Sequence, residues 1–591
     1  MRKRIIHLFL SFLVSVSMLS GCAADESNRY VLLPKTVPMR IQVKSDDEIT
    51  EDEITLYFVN GGDIPYVAVS QYMPVVGSYF RSDSIDIPAA SYTITHPLKH
   101  HTMVSRTDND SFMDIDTLTD TIEFVGFDYF TAEPGSSLFM SVITLGENGR
   151  GGVSNLFRDD GKSYERAGET LIKFNLSEYL IDLIEKDGEC YVPLQTINDL
   201  LVSQNYVYVV FNGEEVIVSG YYSDLIDEMY HAPTGEMSEG FAQFNYNELR
   251  FMLDTFYGLK EEHDIEDFGD FFVSTGLVND LSGTDSKAFD AALQKLVMKY
   301  FDDSHSFLIK PSYLTGPRDL DDADTNLSLF GDAGTSYNTK VWDGTRIKII
   351  RSRYYPDHPE LYPDGDDELP WLYEEVGDTA FITFDQFIDS RNDYYTEANL
   401  DDPQDTIELI SYAQSQITRE NSPVKNVVVD LSCNVGGSAD AAVFLLAWFD
   451  KVGQAALRST LTGAQSVCSY EADVNLDGEF DDEDWLPFAI NKYILISGLS
   501  FSCGNLIPAS FKGSSSITLL GRTSGGGSCV VRPCTTASGA IFTISSPRQV
   551  SIIRNGSLYN ADQGIDPDFT ISKPENFYDR EKLVEFIHEL P

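Results

Sequence analysis

Basic residues are scarce in this 591-residue sequence. There are 42 Lys and Arg against 93 Asp and Glu, a net charge of −51. A surface of that sign repels phosphate backbones and anionic bilayers, so nucleic acid is not an expected partner. The seven cysteines include no Cys-x-x-Cys pair, which removes the commonest zinc spacing. The apolar run near the start, Ile5 to Leu19, is about fifteen residues and falls short of the ~20 that a membrane-spanning helix needs. Core material is not lacking. Apolar residues make up 42% of the chain, with 36 Phe and 31 Tyr, enough for about three domains at roughly 100–200 residues each.

The first residues point to export. Met1-Arg2-Lys3-Arg4 is a basic start to the apolar run, the order found in secretory signals. The run ends Leu19-Ser20-Gly21-Cys22, which resembles the bacterial lipobox, where cleavage leaves a lipidated cysteine. Residues 1–22 are then a lipoprotein signal peptide and 23–35 a tether. The expectation is an extracytoplasmic protein anchored to the bacterial cell membrane through Cys22, since two acyl chains suffice for stable anchoring. Export also permits disulfides among Cys190, Cys433, Cys468, Cys503, Cys529 and Cys534, whose pairing the sequence leaves open.

Residues 36–235 read as a β-rich module. Ile64–Ser70 and Cys190–Ile197 look related, and Asn212-Gly213 between two β-rich runs is a hairpin signal. The arrangement resembles the small stalk domains of copper amine oxidases and suits a spacer or binding module, with no metal chemistry implied. Helical spacing follows over 241–315, in Leu249, Met252, Leu253 and Phe256 and again in Phe289, Leu293, Leu296, Val297 and Tyr300. Residues 316–375 form an irregular insertion. From 376 to 591 strands alternate with helices, which implies a mostly parallel sheet with both faces covered. Sites in such sheets lie beyond the carboxyl ends of the strands.

Three polar turns fall at such ends. Val427–Leu431 runs into Ser432-Cys433-Asn434-Val435-Gly436-Gly437, Tyr493–Ser497 into Ser500, Ser502 and Cys503, and Leu519-Leu520 into Gly521–Ser528. Upstream, a helix closes on Asp302-Asp303-Ser304-His305-Ser306. Downstream stands Asp562, then Gly564-Ile565-Asp566-Pro567-Asp568. Singly each has a plain alternative: Ser502 as a helix N-cap, His305 as a turn histidine.

In this order the five segments resemble the C-terminal processing and tricorn-like serine peptidases, over about residues 241–572. The resemblance implies an α/β crotonase-like (ββα) core. It implies an enzyme that hydrolyses peptide bonds of peptides or unfolded proteins. Ser502 would be the nucleophile. The N–H of Cys503, with Gly436 or Gly437, would form the oxyanion hole. The lysine that processing relatives carry about 25 residues after the serine is missing here, so the tricorn-like version applies: His305 as general base, oriented through Ser304, with Asp562 as the late acid. Asn505 stands where many relatives carry glutamate, which leaves a catalytically inactive binding or adhesion lipoprotein of the same fold as the alternative. No catalytic metal is implied. The insertion shows no carboxylate-binding loop of the PDZ kind.

A separate signal lies in the segment 470–486. Asp473, Asn475, Asp477, Glu479 and Asp484 occupy positions 1, 3, 5, 7 and 12 of an EF-hand-type loop, with Asp481 at position 9, Gly478 at position 6 and Phe480 at the inward apolar position. The loop resembles those of dockerins and implies one structural calcium ion.

Overall fold

The computed structural model describes the chain except residues 1–29, 44–47, 80–89, 133–152, 160, 221–222, 231–232, 318–343, 345–347, 350, 352–370, 392 and 555. The signal peptide, Cys22 and most of the 316–375 insertion lie outside the described residues. Among the described residues no helix is long and apolar enough to cross a membrane, and no two cysteines are joined by a disulfide.

The protein is multidomain and mixed α/β, with a β-rich N-terminal region. There, a seven-stranded sheet and a five-stranded antiparallel meander enclose a shared apolar core. The two related segments turn out to be strand–helix units. Pro65–Ala68 runs into the helix Val69–Tyr79, Glu189–Pro193 runs into Leu194–Leu201, and the two strands pair antiparallel. The predicted hairpin forms between Val207–Phe211 and Val216–Gly220, with Gly213 at φ 94° in its loop.

The C-terminal region holds a six-stranded sheet in the order Leu372–Val376, Thr379–Thr383, Asn426–Asp430, Asn491–Ile496, Ile517–Gly521, Phe569–Thr570. All neighbours are parallel except the first pair. Side chains alternate across it with period two. Ile382, Val427, Val429, Ile494 and Ile496 pack toward the helices Thr406–Thr418, Ala439–Asp450 and Cys503–Phe511. Phe381, Val428, Tyr493 and Leu495 pack on the other face against Leu583 and Ile587 of the last helix. Both faces are thus buried, which explains the near-continuous apolar strands.

A third sheet is less legible in the sequence. Strand Ile541–Ser551 pairs with Phe307–Lys310, Gly453–Ser459 and Cys529–Thr535. Strand Gln465–Ala472 extends it and then pairs with Leu156–Arg158 and Tyr164–Arg166. Two strands of the 36–235 stretch therefore complete a sheet built mainly from the last third of the chain.

Candidate active site

Three strand ends of the parallel sheet meet at one point. Ile496 leads through a short turn to Ser502, Asp430 to Gly436-Gly437, and Gly521 to Gly525–Gly527. Backbone hydrogen bonds tie the turns together. The Ser502 N–H donates to the Gly526 carbonyl at 2.9 Å, the Gly525 N–H to Ser500 at 2.9 Å, and the Phe501 N–H to Asn434 at 3.1 Å. Ser500 is structural: its hydroxyl donates to the Leu431 carbonyl at 2.6 Å and accepts the Ser497 N–H.

Ser502 stands at the N-cap position of the helix Cys503–Phe511, yet its side chain makes no capping bond. Its backbone is at φ 54°, ψ −121°, a region left almost entirely to glycine and costing about 1–3 kcal/mol in any other residue. The cap reading fails on both counts. A strained serine that gives up its capping bond presents its hydroxyl at the mouth of the turn, as a sharp strand-to-helix elbow does.

The Cys503 N–H follows Ser502 directly and has no acceptor among the described residues. The Gly436 N–H is already committed to Asn434 Oδ1 at 2.9 Å. That leaves Gly437 as the glycine donor of the turn. Its N–H faces the Cys503 sulfur and favours negative charge there. Gly436 has another task. At φ 105° it lies against Ser502, and a Cβ there would come within 2.7 Å of the Ser502 Cβ and 3.1 Å of the Cys503 nitrogen. Burial, followed by Asp440, pushes the Cys503 thiol up to about 12, so this cysteine is not the nucleophile.

His305 reaches the site from the helical part of the chain. Its imidazole is 7% exposed and stands edge-on to the Phe501 ring, with centroids 4.7 Å apart. Burial lowers its pKa, against the pull of Asp303, and its Nδ1 is buried without a hydrogen-bond partner. Among the described residues the ring forms no hydrogen bond, with Ser304 or with Ser502. Of the Ser304 orienting bond expected from the sequence, none to the His305 ring is found among the described residues. Asp303 sets the turn instead: Oδ1 accepts the His305 N–H at 3.0 Å and Oδ2 the Ser306 hydroxyl at 2.7 Å.

Asp562 is held by Ser528, whose N–H donates to Oδ1 at 3.1 Å. Burial, then the charge of Asp303, pushes its carboxyl up to about 6. The carboxylate whose charge His305 feels is Asp303. Asp562 stands one step behind it, with Glu262 also near. Asp303 belongs to the quoted turn, but the sequence gives it no role, because an acid two residues before a histidine is also an ordinary turn residue. Asn505 takes no place among the acids. Its Oδ1 accepts the Ser524 hydroxyl at 2.6 Å and its Nδ2 donates to Ala561 at 2.9 Å, a buried brace between the Ser502 helix and the Asp562 loop. Lys512 is paired with Asp568 at 2.7 Å, and Asp568 Oδ2 also accepts the Leu519 N–H, so neither is free for chemistry.

With that geometry in view, residues 378–571 match the family model for Peptidase family S41. The match spans about a third of the chain. The peptidases of that family are serine-type. No curated protein matches the chain. Among solved structures it is similar to a candidate peptidase from Parabacteroides merdae, at 14% identity and TM-score 0.41, over 58% of this chain and 96% of that one. A lipoprotein from Streptococcus agalactiae matches at 14% and 0.33, over 61% and 100%. Mature CPAF in complex with lactacystin matches at 12% and 0.36, over 59% and 97%.

In the segment 470–486 Asp473 is fully buried; its Oδ1 accepts the Asp477 N–H at 3.2 Å and its Oδ2 the Gly478 N–H at 2.8 Å. Asp484 Oδ1 accepts the Val474 N–H at 2.8 Å, and Gly478 takes φ 91°. Asn475 and Asp477 bond each other at 3.2 Å, and Glu479 is exposed. Among the described residues no three His, Cys, Asp or Glu side chains are gathered closely enough to hold a metal.

Proposed function

We propose that the protein hydrolyses peptide bonds with Ser502 as nucleophile and His305 as general base, in an α/β core of crotonase-like kind. The observation that carries the reading is Ser502 itself: glycine-like backbone angles, no capping bond, and a histidine packed against the preceding residue. Ser502 Oγ attacks the scissile carbonyl while His305 takes its proton, then returns it to the leaving amine. The Cys503 N–H would donate to the oxyanion, and the Gly437 N–H would turn to it from the Cys503 sulfur. A lowered pKa keeps the imidazole neutral, and so able to accept a proton, at neutral pH. Asp303 steadies the imidazolium that forms, with Asp562 behind it. Catalytic hydrogen bonds that are open in a free enzyme commonly close only around substrate, which accounts for the open gap between His305 and Ser502.

Peptides or unfolded proteins are the substrates such a site takes. The basic-apolar start and Leu19-Ser20-Gly21-Cys22 support an enzyme held by lipid on the outer side of the cell membrane. For calcium, support comes from the buried Asp473 and Asp484. The charge of Asp473 adds to the burial that drives Asp484 up to about 6, a repulsion that a cation would relieve. Asp473, Asn475, Asp477, Glu479 and Asp484 would have to close around the ion, since among the described residues no three acidic side chains are yet gathered for a metal, and it would stiffen the segment after strand Gln465–Ala472.

Fluorophosphonate labelling tests the central claim. Wild type is expected to react, and Ser502→Ala and His305→Ala are not. A wild type that never labels would favour the alternative, a peptidase fold kept for binding, to which the unmade Ser304–His305 bond and Asn505 already lend some weight.

A further inference from the structure

Two buried carboxylates stand at the ends of neighbouring strands beside the Gly436-Gly437 turn, and each has its own arginine. Asp430 closes strand Asn426–Asp430 and meets Arg580 at 3.1 Å. Asp385 follows strand Thr379–Thr383 by two residues and is met by Arg351.

Arg351 comes from the 316–375 insertion, yet it is only 1% exposed. Its guanidinium uses both prongs on Asp385. One terminal nitrogen donates to Oδ1 at 2.8 Å and the other to Oδ2. Its Cζ also lies 5.9 Å from the centre of the Tyr578 ring. The Tyr578 hydroxyl in turn reaches Ser432 at 2.8 Å and the Cys433 sulfur at 3.7 Å. Gly344 of the same insertion is buried against the serine turn, where a Cβ would come within 2.8 Å of the Leu499 nitrogen.

The stretch around Asp385 is tied to the glycine turn along its length. The Phe384 carbonyl accepts Asn434 Nδ2 at 3.2 Å. The Asp385 carbonyl accepts the Val435 N–H at 3.0 Å, the Phe387 N–H donates to the Gly436 carbonyl at 2.8 Å, and the Phe387 carbonyl accepts the Ser438 N–H at 2.8 Å. Gly437 lies so close that a Cβ would come within 2.2 Å of the Phe387 oxygen. Residues 384–387 therefore set the peptide planes of Gly436 and Gly437.

A buried ion pair adds little net stability, but removing one partner leaves a costly orphan charge. Without Arg351, the Asp385 carboxylate would have to move toward water, and its own carbonyl would draw Val435 with it. A bidentate guanidinium fixes both the distance and the angle of a carboxylate, which a lysine ammonium does not.

We propose that Arg351 positions the Gly436-Gly437 turn for the oxyanion, acting through Asp385. The catalytic side of this inference rests on the Ser502 reading. Its structural side, that Arg351 holds residues 434–438 in place, stands apart from that reading.

Hydrogen exchange and peptide hydrolysis on the purified protein test it. In Arg351→Met the Val435 and Ser438 amides are expected to exchange about tenfold faster, with the five-stranded meander unchanged. Its kcat is expected to fall by about 10²-fold, as loss of an oxyanion donor does, with KM unchanged. Adding Asp385→Asn should return part of both losses, since no orphan charge is left, so the two changes should not add. Should Arg351→Met not fold, Arg351→Lys, which keeps the charge and loses the fork, takes the same measurements. A wild type inert to fluorophosphonate and to peptides would sink the Ser502 reading, and the exchange rates alone would then decide this one. Exchange at Val435 and Ser438 no faster than in wild type, a raised KM with kcat kept, or losses that add in the double variant overturns the proposal.

Discussion

The imidazole of His305 and the ring of Phe501 meet edge-on at 4.7 Å, and Phe501 is joined by one peptide bond to Ser502. The aromatic ring is therefore the part that brings the histidine-bearing turn to the serine-bearing elbow. Phe501→Ala removes that wall. It is expected to cut kcat/KM by about 10²-fold, as misplacement of a catalytic group by an ångström does, while fluorophosphonate labelling slows but persists. Unchanged kinetics would show that Phe501 positions nothing.

Ser502→Gly separates strain from chemistry. Glycine tolerates φ 54°, ψ −121° without the clash of a Cβ. The variant is expected to lose activity by about 10⁴-fold or more and to gain about 1 kcal/mol of stability in urea unfolding. Ser502→Ala keeps the Cβ and should lose the activity without that gain. Equal stabilities for the two variants would remove the case for strain.

Gly527 tests the wall from the other side. It sits at φ 80°, and a Cβ there would lie 2.3 Å from the Phe501 ring. Gly527→Ala should push the ring toward His305, lower kcat/KM by about 10²-fold and destabilise by about 1–3 kcal/mol. Thermal melting and peptide hydrolysis measured together check both halves.

Asp562 links pH to both rate and stability. Its carboxyl titrates at about 6 in the folded protein, above its ordinary value, so the folded state holds the proton more tightly than the unfolded chain. The ionised form then weakens the fold, with the penalty absent below about pH 4 and complete above about pH 6. Asp562→Asn is expected to leave stability unchanged at pH 4 and to raise it by about 1–3 kcal/mol at pH 8. Wild-type kcat/KM should climb as His305 loses its proton, below the ordinary histidine value, and again through about pH 6 as Asp562 ionises; the variant should keep only the His305 limb. A melting temperature in the variant that does not exceed wild type at pH 8 would count against a strained carboxylate.

Calcium should raise the melting temperature of wild type at about 1 mM, within the range of extracellular sites. Asp473→Ala should abolish the rise. Because Asp484 titrates at about 6, the effect should fade below that pH. A melting temperature indifferent to calcium from pH 5 to pH 8 would reduce the loop to an internally bonded turn.

The parallel sheet was legible because burial on both faces left its strands as unbroken apolar runs such as Val427–Val429 and Ile494–Ile496, each ending in a polar turn. The strands at Gly453–Ser459 and Cys529–Thr535 were not. They carry Ser, Arg and Thr amid their apolar residues, and their partners lie far away in sequence. The order of motifs singles out Ser502 and His305 as candidates. It does not single out Phe501 or Asp303, since an aromatic at a strand end and an acid in a turn are common in many folds. Asn505 was read as a missing acid; its two hydrogen bonds show a brace that needs an amide, a donor at one end and an acceptor at the other.

The strands Leu156–Arg158 and Tyr164–Arg166 pair with Gln465–Ala472, and the Ser469 N–H donates to Ser163 across 306 residues of sequence. At a synthesis rate of about 5–20 residues per second, roughly 15–60 s pass between the appearance of one edge and the other. Throughout that interval the early strands have bare edges with nothing to meet. A chain made this way has reason to stay extended until it is complete, and its two ends are committed to folding as partners. A peptidase portion cut free of residues 156–166 would be left with an open sheet edge, and such edges seek the next copy.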